Sequence, residues 1–241
     1  MNRAMFAAAS GMAAQQKNLD VIADNLANAD VAGFKGAAAA FADVRAGGTV
    51  GLGTQVLGTH ASFAQGKLMK SGGPFDVAID GAGFFAVKHG NTTAYTRNGE
   101  FSRAADGALR NAQGWQLEGV RIPSNAMRTE VAPDGRVFVD TDARKHVEIG
   151  RIHLASFASP EALRPLGATL FAATPQSGVA HRFTPGGHNP PIAFGMLEHS
   201  NVSIVESMMQ ILQAQRAYEA NSKGVQAADE MLRIANNLHR S

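Results

Sequence analysis

The chain has 241 residues, 45% hydrophobic and 17% charged, enough to bury a sizeable core in one or two domains. Its 22 Lys and Arg nearly balance 20 Asp and Glu, and the basic residues are scattered, so nucleic-acid binding is not expected. The absence of cysteine excludes disulfide frameworks, cysteine-ligated zinc, iron–sulfur clusters and thiol nucleophiles, and no apolar run reaches the roughly 18 residues of a membrane-spanning helix.

The first segment, residues 1–35, reads as a helix from about Asn2 to Ala27, which the chain leaves at Asn28 and Gly33. The apolar stretch Ala4 to Ala14 behind Arg3 has the look of a short signal sequence. However, Met1, Met5, Ala8, Met12, Gln15, Leu19, Ile22 and Leu26 keep a four-and-three spacing through any cleavage point, so a retained helix is expected. Residues 36–74 read as an extended connector with one or two strands, since Gly36 to Ala42 is a run of mostly small residues and Ala46 to Thr54 is dominated by glycine.

Residues 75–191 are expected to form a β-rich domain. Phe75 to Ile79, Phe84 to Lys88, Thr92 to Thr96, Trp115 to Leu117, Val137 to Val139 and Val147 to Phe157 are strand candidates by β-branched and aromatic content. Asn98-Gly99, Asp106-Gly107 and Asp134-Gly135 offer the positive-φ chemistry of tight turns, which favours an antiparallel barrel-like or sandwich domain. Ser159 is placed to cap one helical turn before Pro160, and His181 to Pro191 reads as a surface crossing.

In residues 192–241 a second helix is predicted over Ile204 to Leu238, with Ser203 and Glu206 as a capping box. Its seam reads as Ile204, Met208, Ile211, Tyr218, Asn221, Val225, Ala228, Leu232 and Ala235, slipping phase near Ala214 and Gln215. Gly224 costs about 1 kcal/mol in a helix interior, either as a tolerated weak spot or because a neighbouring helix approaches there.

The residues do not compose an active site. There is no G-x-S-x-G elbow, P-loop or H-E-x-x-H, and the nearest histidine pair, His181 and His188, lacks ligand spacing. Asp76 and Asp80 would lie roughly 13 Å apart on a strand. Asp80-Gly81-Ala82-Gly83 precedes a strand where a dinucleotide loop needs a helix. No enzyme activity, cofactor or metal is expected.

Asn25-Leu26-Ala27-Asn28 with Gly33-Phe34-Lys35 resembles the N-terminal signature of bacterial flagellar rod and hook proteins. Gly195 to Val202, followed by Gln215 to Lys223, is similar to their C-terminal motif, and Asp76 to Phe85 with Tyr95 to Gly99 looks like their central domain. The likeness covers nearly the whole chain. Val31 stands where the family usually has Thr, and the stretch from Lys35 to Asp76 is shorter than in the typical distal rod type.

The resemblance implies an α+β axial subunit whose two terminal helices pair as an antiparallel coiled-coil-like stalk beside the central β domain. It implies self-association into a helical tube, the periplasm-spanning rod that transmits torque, of distal type with the proximal type as alternative. Other rod and hook subunits, the type III export apparatus (without signal cleavage) and the surrounding ring proteins are the implied partners, with neither nucleic acid nor membrane insertion. Met12, Leu19, Ile22, Asn25, Leu26, Asn28, Gly33, Phe34, Met208, Leu212, Tyr218, Asn221, Val225 and Leu232 are the candidate assembly residues, the asparagines fixing register or capping. Two other readings stand beside it. One is a secreted adhesin or glycan binder using Trp115, Tyr95 and Phe84; the other is a hydrolase in which Asp134 and Glu148 converge.

Overall fold

A computed structural model describes residues 3–44, 53–141, 146–167 and 169–238, and the chain divides into two compact units. Met1, Asn2, residues 46–52 of the glycine-rich run and the Ala235 side chain lie outside what is described. One unit gathers Met1–Asn28, Gly36–Ser62 and Val202–Ser241; the other gathers Ala29–Lys35 and Phe63–Asn201.

The helical unit holds α1 (Arg3–Ala27), the antiparallel hairpin β1 (Ala37–Asp43) and β2 (Thr54–Ala61), and α2 (Ile204–Leu238). The ends of both helices have local causes. Asn28 closes α1 by donating its N–H and its side-chain amide to the Asp24 carbonyl at 3.1 and 2.8 Å. Ser203 opens α2 by accepting the Glu206 N–H at 3.4 Å.

The buried line on α2 differs from the expected one. Ile204 and Met208 are 44% and 54% exposed, whereas Ser207 and Ala214 are buried. With these two small residues included, Ser207, Ile211, Ala214, Asn221, Val225 and Ala228 fall on one line with the 40% exposed Tyr218, stepping by four and three without a phase slip. Small side chains let two helix backbones come close. At Gly11 an added Cβ would lie 2.9 Å from Asn221 Nδ2, so the tight approach is there. At Gly224 an added Cβ would meet only the Ala8 Cβ at 3.9 Å, an ordinary contact. Gly224→Ala should therefore stabilise the helical unit by about 1 kcal/mol, read as a rise in its thermal midpoint.

On α1 burial is broader than one seam, because the helix packs against α2 and against the hairpin. Ala14, Ile22 and Asn25 are buried, and Met5, Ala8, Met12, Gln15, Leu19 and Leu26 are half-buried. The Asn25 side chain pairs with the Ala37 backbone as a strand would, accepting its N–H at 2.8 Å and donating to its carbonyl at 2.7 Å. Ser10 Oγ accepts the Thr54 N–H at 3.1 Å, tying β2 to the same helix.

The β unit runs through β3 (Leu68–Lys70), β4 (Val77–Ile79), β5 (Phe84–His89), β6 (Thr92–Thr96), β7 (Ser102–Arg103), β8 (Ala108–Arg110) and β9 (Gln116–Arg121). It continues with β10 (Ala126–Val131), β11 (Arg136–Thr141), β12 (Val147–Arg151), β13 (Leu154–Ser156), β14 (Arg164–Gly167) and β15 (Leu170–Ala172). β16 (His181–Phe183), β17 (Ile192–Phe194) and β18 (Met196–Glu198) complete it. The main sheet has the order β14-β15-β6-β5-β9-β8-β7, with β13 joining β5 to β16. Its ends stay open, so the expected barrel does not close.

A second sheet, β10-β11-β12, shares the core, in which Val131, Val137 and Val139 pack with Phe85, Leu117, Ile122 and Leu154. The strand expected over Val147 to Phe157 is broken where the buried Ile152 crosses between sheets, its N–H donating to the Gly135 carbonyl at 2.8 Å. Gly107 and Gly135 have the expected positive φ. Gly99 does not; an added Cβ there would lie 1.6 Å from the Val77 carbonyl oxygen, so close backbone passage requires the glycine. Ser159 makes no side-chain cap for the short 3-10 turn Pro160–Ala162, and Pro160 alone sets its start. His181 to Pro191, expected as a surface crossing, contributes β16 and buries Pro185.

Candidate functional site

Three charged side chains from distant parts of the sequence meet inside the β unit. Register places Glu198 at the end of β18 opposite Leu68 of β3. Its side chain is wholly buried: Oε1 accepts from Lys35 Nζ at 2.6 Å and from the Gly66 N–H at 2.9 Å, and Oε2 accepts from Arg97 Nη1 at 3.2 Å. Lys35 Nζ also donates to the Ala64 carbonyl at 2.7 Å, so two of the three ammonium N–H groups have buried acceptors. Burial pushes both the Lys35 ammonium and the Arg97 guanidinium below their ordinary pKa values, and Glu198 pulls each back up.

The backbone around this trio is equally constrained. The Gly33 N–H donates to the Glu198 carbonyl at 2.6 Å. Gly33 has φ +69°, and a Cβ there would lie 2.3 Å from the Asn98 nitrogen, so only glycine lets the chain pass over residues 97 and 98. The Arg97 guanidinium lies 5.5 Å from the centre of the Phe84 ring, whose edge-on neighbours are Phe63, Phe157 and Phe171. A sealed carboxylate with two cations has no room for a reacting molecule. What it does is clamp the segment after α1 and the segment before α2 to the centre of the β unit.

Sequence reasoning passed over this trio, although all three residues stand in motifs it singled out: Gly33-Phe34-Lys35, Tyr95 to Gly99 and Gly195 to Val202. The available signal was a charged residue inside each glycine- or aromatic-bearing motif. Of the candidate assembly residues, Ile22, Asn25 and Gly33 are buried; Met12, Leu19, Leu26, Asn28, Phe34, Asn221 and Val225 are half-buried. Met208, Leu212, Tyr218 and Leu232 are exposed, and the structure brings Asn221 to Gly11.

The competing sites do not form. Phe84 is only 2% exposed, and Trp115 packs against the core of the β unit, so Phe84, Tyr95 and Trp115 present no joint contact surface. Asp134 is held by Arg136, whose Nε donates to it at 2.7 Å, and Glu148 is exposed on β12. Asp76 is buried and accepts from Ser71 Oγ, while Asp80 is exposed.

Three family models match the chain: flagella basal body rod protein over residues 5–35, flagellar hook protein FlgE/F/G D1 domain over 78–139, and flagellar basal body rod FlgEFG protein C-terminal over 194–238. The chain is similar to the flagellar basal-body rod protein FlgG of Borreliella burgdorferi, at 39% identity with all of both chains covered. The alignment spans 264 positions, more than this chain's 241 residues, so that relative carries residues this chain lacks. FlgG of Agrobacterium fabrum is 36% identical over 96% of this chain and 97% of its own. The flagellar hook protein FlgE of Salmonella typhimurium is 44% identical over 46% of this chain and 28% of its own.

Proposed function

Because the chain belongs to the flagellar basal-body rod and hook protein family, as a structural, non-enzymatic rod subunit, we propose that α1 and α2 pair as an antiparallel coiled-coil-like stalk through which copies polymerise. The observation that carries this is the pair of approaches of Gly11 to Asn221 and of Ala8 to Gly224, whose numbering runs in opposite senses along the two helices. Ala7, Gly11, Ala14, Asn18, Val21 and Asn25 step by four and three along α1. Val225, Asn221, Tyr218, Ala214, Ile211 and Ser207 step the same way backwards along α2. Extending outward from the Gly11–Asn221 contact matches Ala7 with Val225, Ala14 with Tyr218, Asn18 with Ala214, Val21 with Ile211 and Asn25 with Ser207. Small residues then oppose larger ones along much of the line, as interdigitating helices require.

Within this reading Met12, Leu19 and Leu26 on α1, with Met208, Leu212 and Leu232 on α2, are apolar positions that neighbouring copies cover. The subunit is of the distal type, in keeping with its full-length FlgG relatives, in a rod that crosses the periplasm inside its rings and carries torque. It reaches that place through the type III export apparatus with its N-terminus uncleaved. The shortened stretch between Lys35 and Asp76 is where residues present in the longer relatives are missing.

Helices draw most of their stability from packing, so the helical unit of a lone copy is marginal and gains order on assembly. Hydrogen exchange tests this: residues 3–30 and 202–238 should exchange fast in the dilute monomer and become protected in filaments, while 75–190 stay protected in both. Ends as protected as the β unit in the monomer would overturn coupled folding and assembly.

A further inference from the structure

The two faces of the main sheet in the β unit are covered unequally. Alternate residues of β5 point to opposite faces, and Phe85 and Val87 enter the core with Leu117. On the other face Phe84 is buried beneath the rings of Phe63, Phe157 and Phe171. Two residues further along, a groove of about 620 Å³ opens. Ala86 and its cross-strand partner Tyr95 line it together with Pro175 and Val179, the last 82% exposed.

The groove also holds a charged cluster. Lys88 of β5 and Arg182 of β16 both pair with the carboxylate of Glu118 on β9. One anion between two cations leaves a net positive charge, and the Lys88 and Arg182 side chains are 52% and 54% exposed against 13% for Glu118. An ammonium has three N–H donors and a guanidinium five, so both cations keep donors for a further carboxylate. Burial, and then Glu118, push the Tyr95 hydroxyl above its ordinary pKa, so it stays a neutral donor. The groove is thus suited to an aliphatic side chain with a carboxylate beside it.

The turn after α1 carries that combination. Asp30 and Val31 are both exposed, and Asp30 has no ion-pair or hydrogen-bond partner among the described residues. Outside the two helices, no other exposed carboxylate among the described residues adjoins an exposed large apolar side chain. Within one copy Asp30 pairs with neither Lys88 nor Arg182, so its own groove does not receive it.

We infer that the Asp30–Val31 turn of one copy docks into the Tyr95–Val179 groove of a second copy, Val31 meeting the apolar lining and the Asp30 carboxylate meeting Arg182 and Lys88. Charge complementarity selects this occupant. The contact rests on the polymerisation reading above and gives it a specific interface. Because turn and groove are different surfaces, each docked copy keeps one of each free, and the contact propagates as an open array instead of closing as a dimer.

Asp30→Arg and Arg182→Glu should each raise the concentration needed for assembly about tenfold, and together in one chain should return it to within about threefold of the parent, because the charges are exchanged. Trp115 fluorescence through a denaturant titration checks that the β unit stays folded in each variant. The chain has no cysteine, so engineered thiols report the contact independently. Affinity-tagged full-length Val31→Cys chains are mixed with untagged Val179→Cys chains, assembled and mildly oxidised; a tagged–untagged disulfide is expected, since it needs Cβ atoms roughly 4 Å apart. Filaments without that link, single charge variants that assemble like the parent, or a double variant no better than the singles overturn this docking and leave polymerisation standing. A disulfide formed inside the dilute Val31→Cys, Val179→Cys monomer overturns it as well, since the turn then reaches its own groove. A parent chain that never self-associates, even when seeded, overturns the polymerisation reading itself.

Discussion

Replacing Glu198 with glutamine should lower the unfolding free energy of the β unit by about 3–5 kcal/mol, the usual cost of removing one partner from a buried ion pair. The substitution keeps the shape of the side chain but leaves the Lys35 ammonium and Arg97 guanidinium facing each other in the interior without an anion. The single tryptophan, Trp115, packs against the core of the β unit, so its fluorescence through a denaturant titration reads that unit's stability. A fall in the midpoint with an unchanged slope is the expected result. Lys35→Met, Arg97→Met and Glu198→Met combined should recover most of the loss, because an apolar replacement of the whole cluster carries no orphaned charge. A Glu198→Gln midpoint indistinguishable from the parent would mean that solvent reaches the cluster and that the clamp contributes little.

How far the sequence could be read follows from how local each determinant is. The limits of α2 are set by Ser203 and Glu206 at one end and by an unbroken helical period, all within a few residues, and the predicted span agrees with the observed Ile204–Leu238. Gly107 and Gly135 were equally legible, since Asp-Gly turn chemistry is contained in two residues. Hydrophobicity misled at the helix seam. It favours Met208 over Ser207 and Leu212 over Ala214, whereas close packing of two helices selects the small residue and turns the large one outward. The ladders β17–β4 and β18–β3 join segments more than a hundred residues apart, and nothing within Met196–Glu198 names Leu68–Lys70 as its partner. The Lys35–Arg97–Glu198 trio depends on that same long-range register, so its members could be noticed one at a time but not assembled.

That contrast makes the helix seam the sharpest place to separate packing from composition. Ala13 and Ala14 are adjacent, chemically identical and equally helix-favouring, yet Ala14 is 4% exposed and Ala13 lies on the exposed face of α1. Ala14→Arg forces a long charged side chain onto the buried side of α1, where it must either desolvate its guanidinium or push the packed elements apart. The cost should be several kcal/mol, more than a marginal two-helix unit can absorb. Far-ultraviolet circular dichroism should therefore show most of the helical signal lost or melting at much lower temperature, and filaments should fail to form. Ala13→Arg adds the same charge on the solvent side and should leave helix content and assembly near the parent's. Trp115 fluorescence should report an intact β unit in both variants, because the substitutions lie in the other compact unit. Equal behaviour of the two variants would remove Ala14 from any helix contact; loss of the Trp115 signal in Ala14→Arg would mean that the β unit depends on the helices for its own folding.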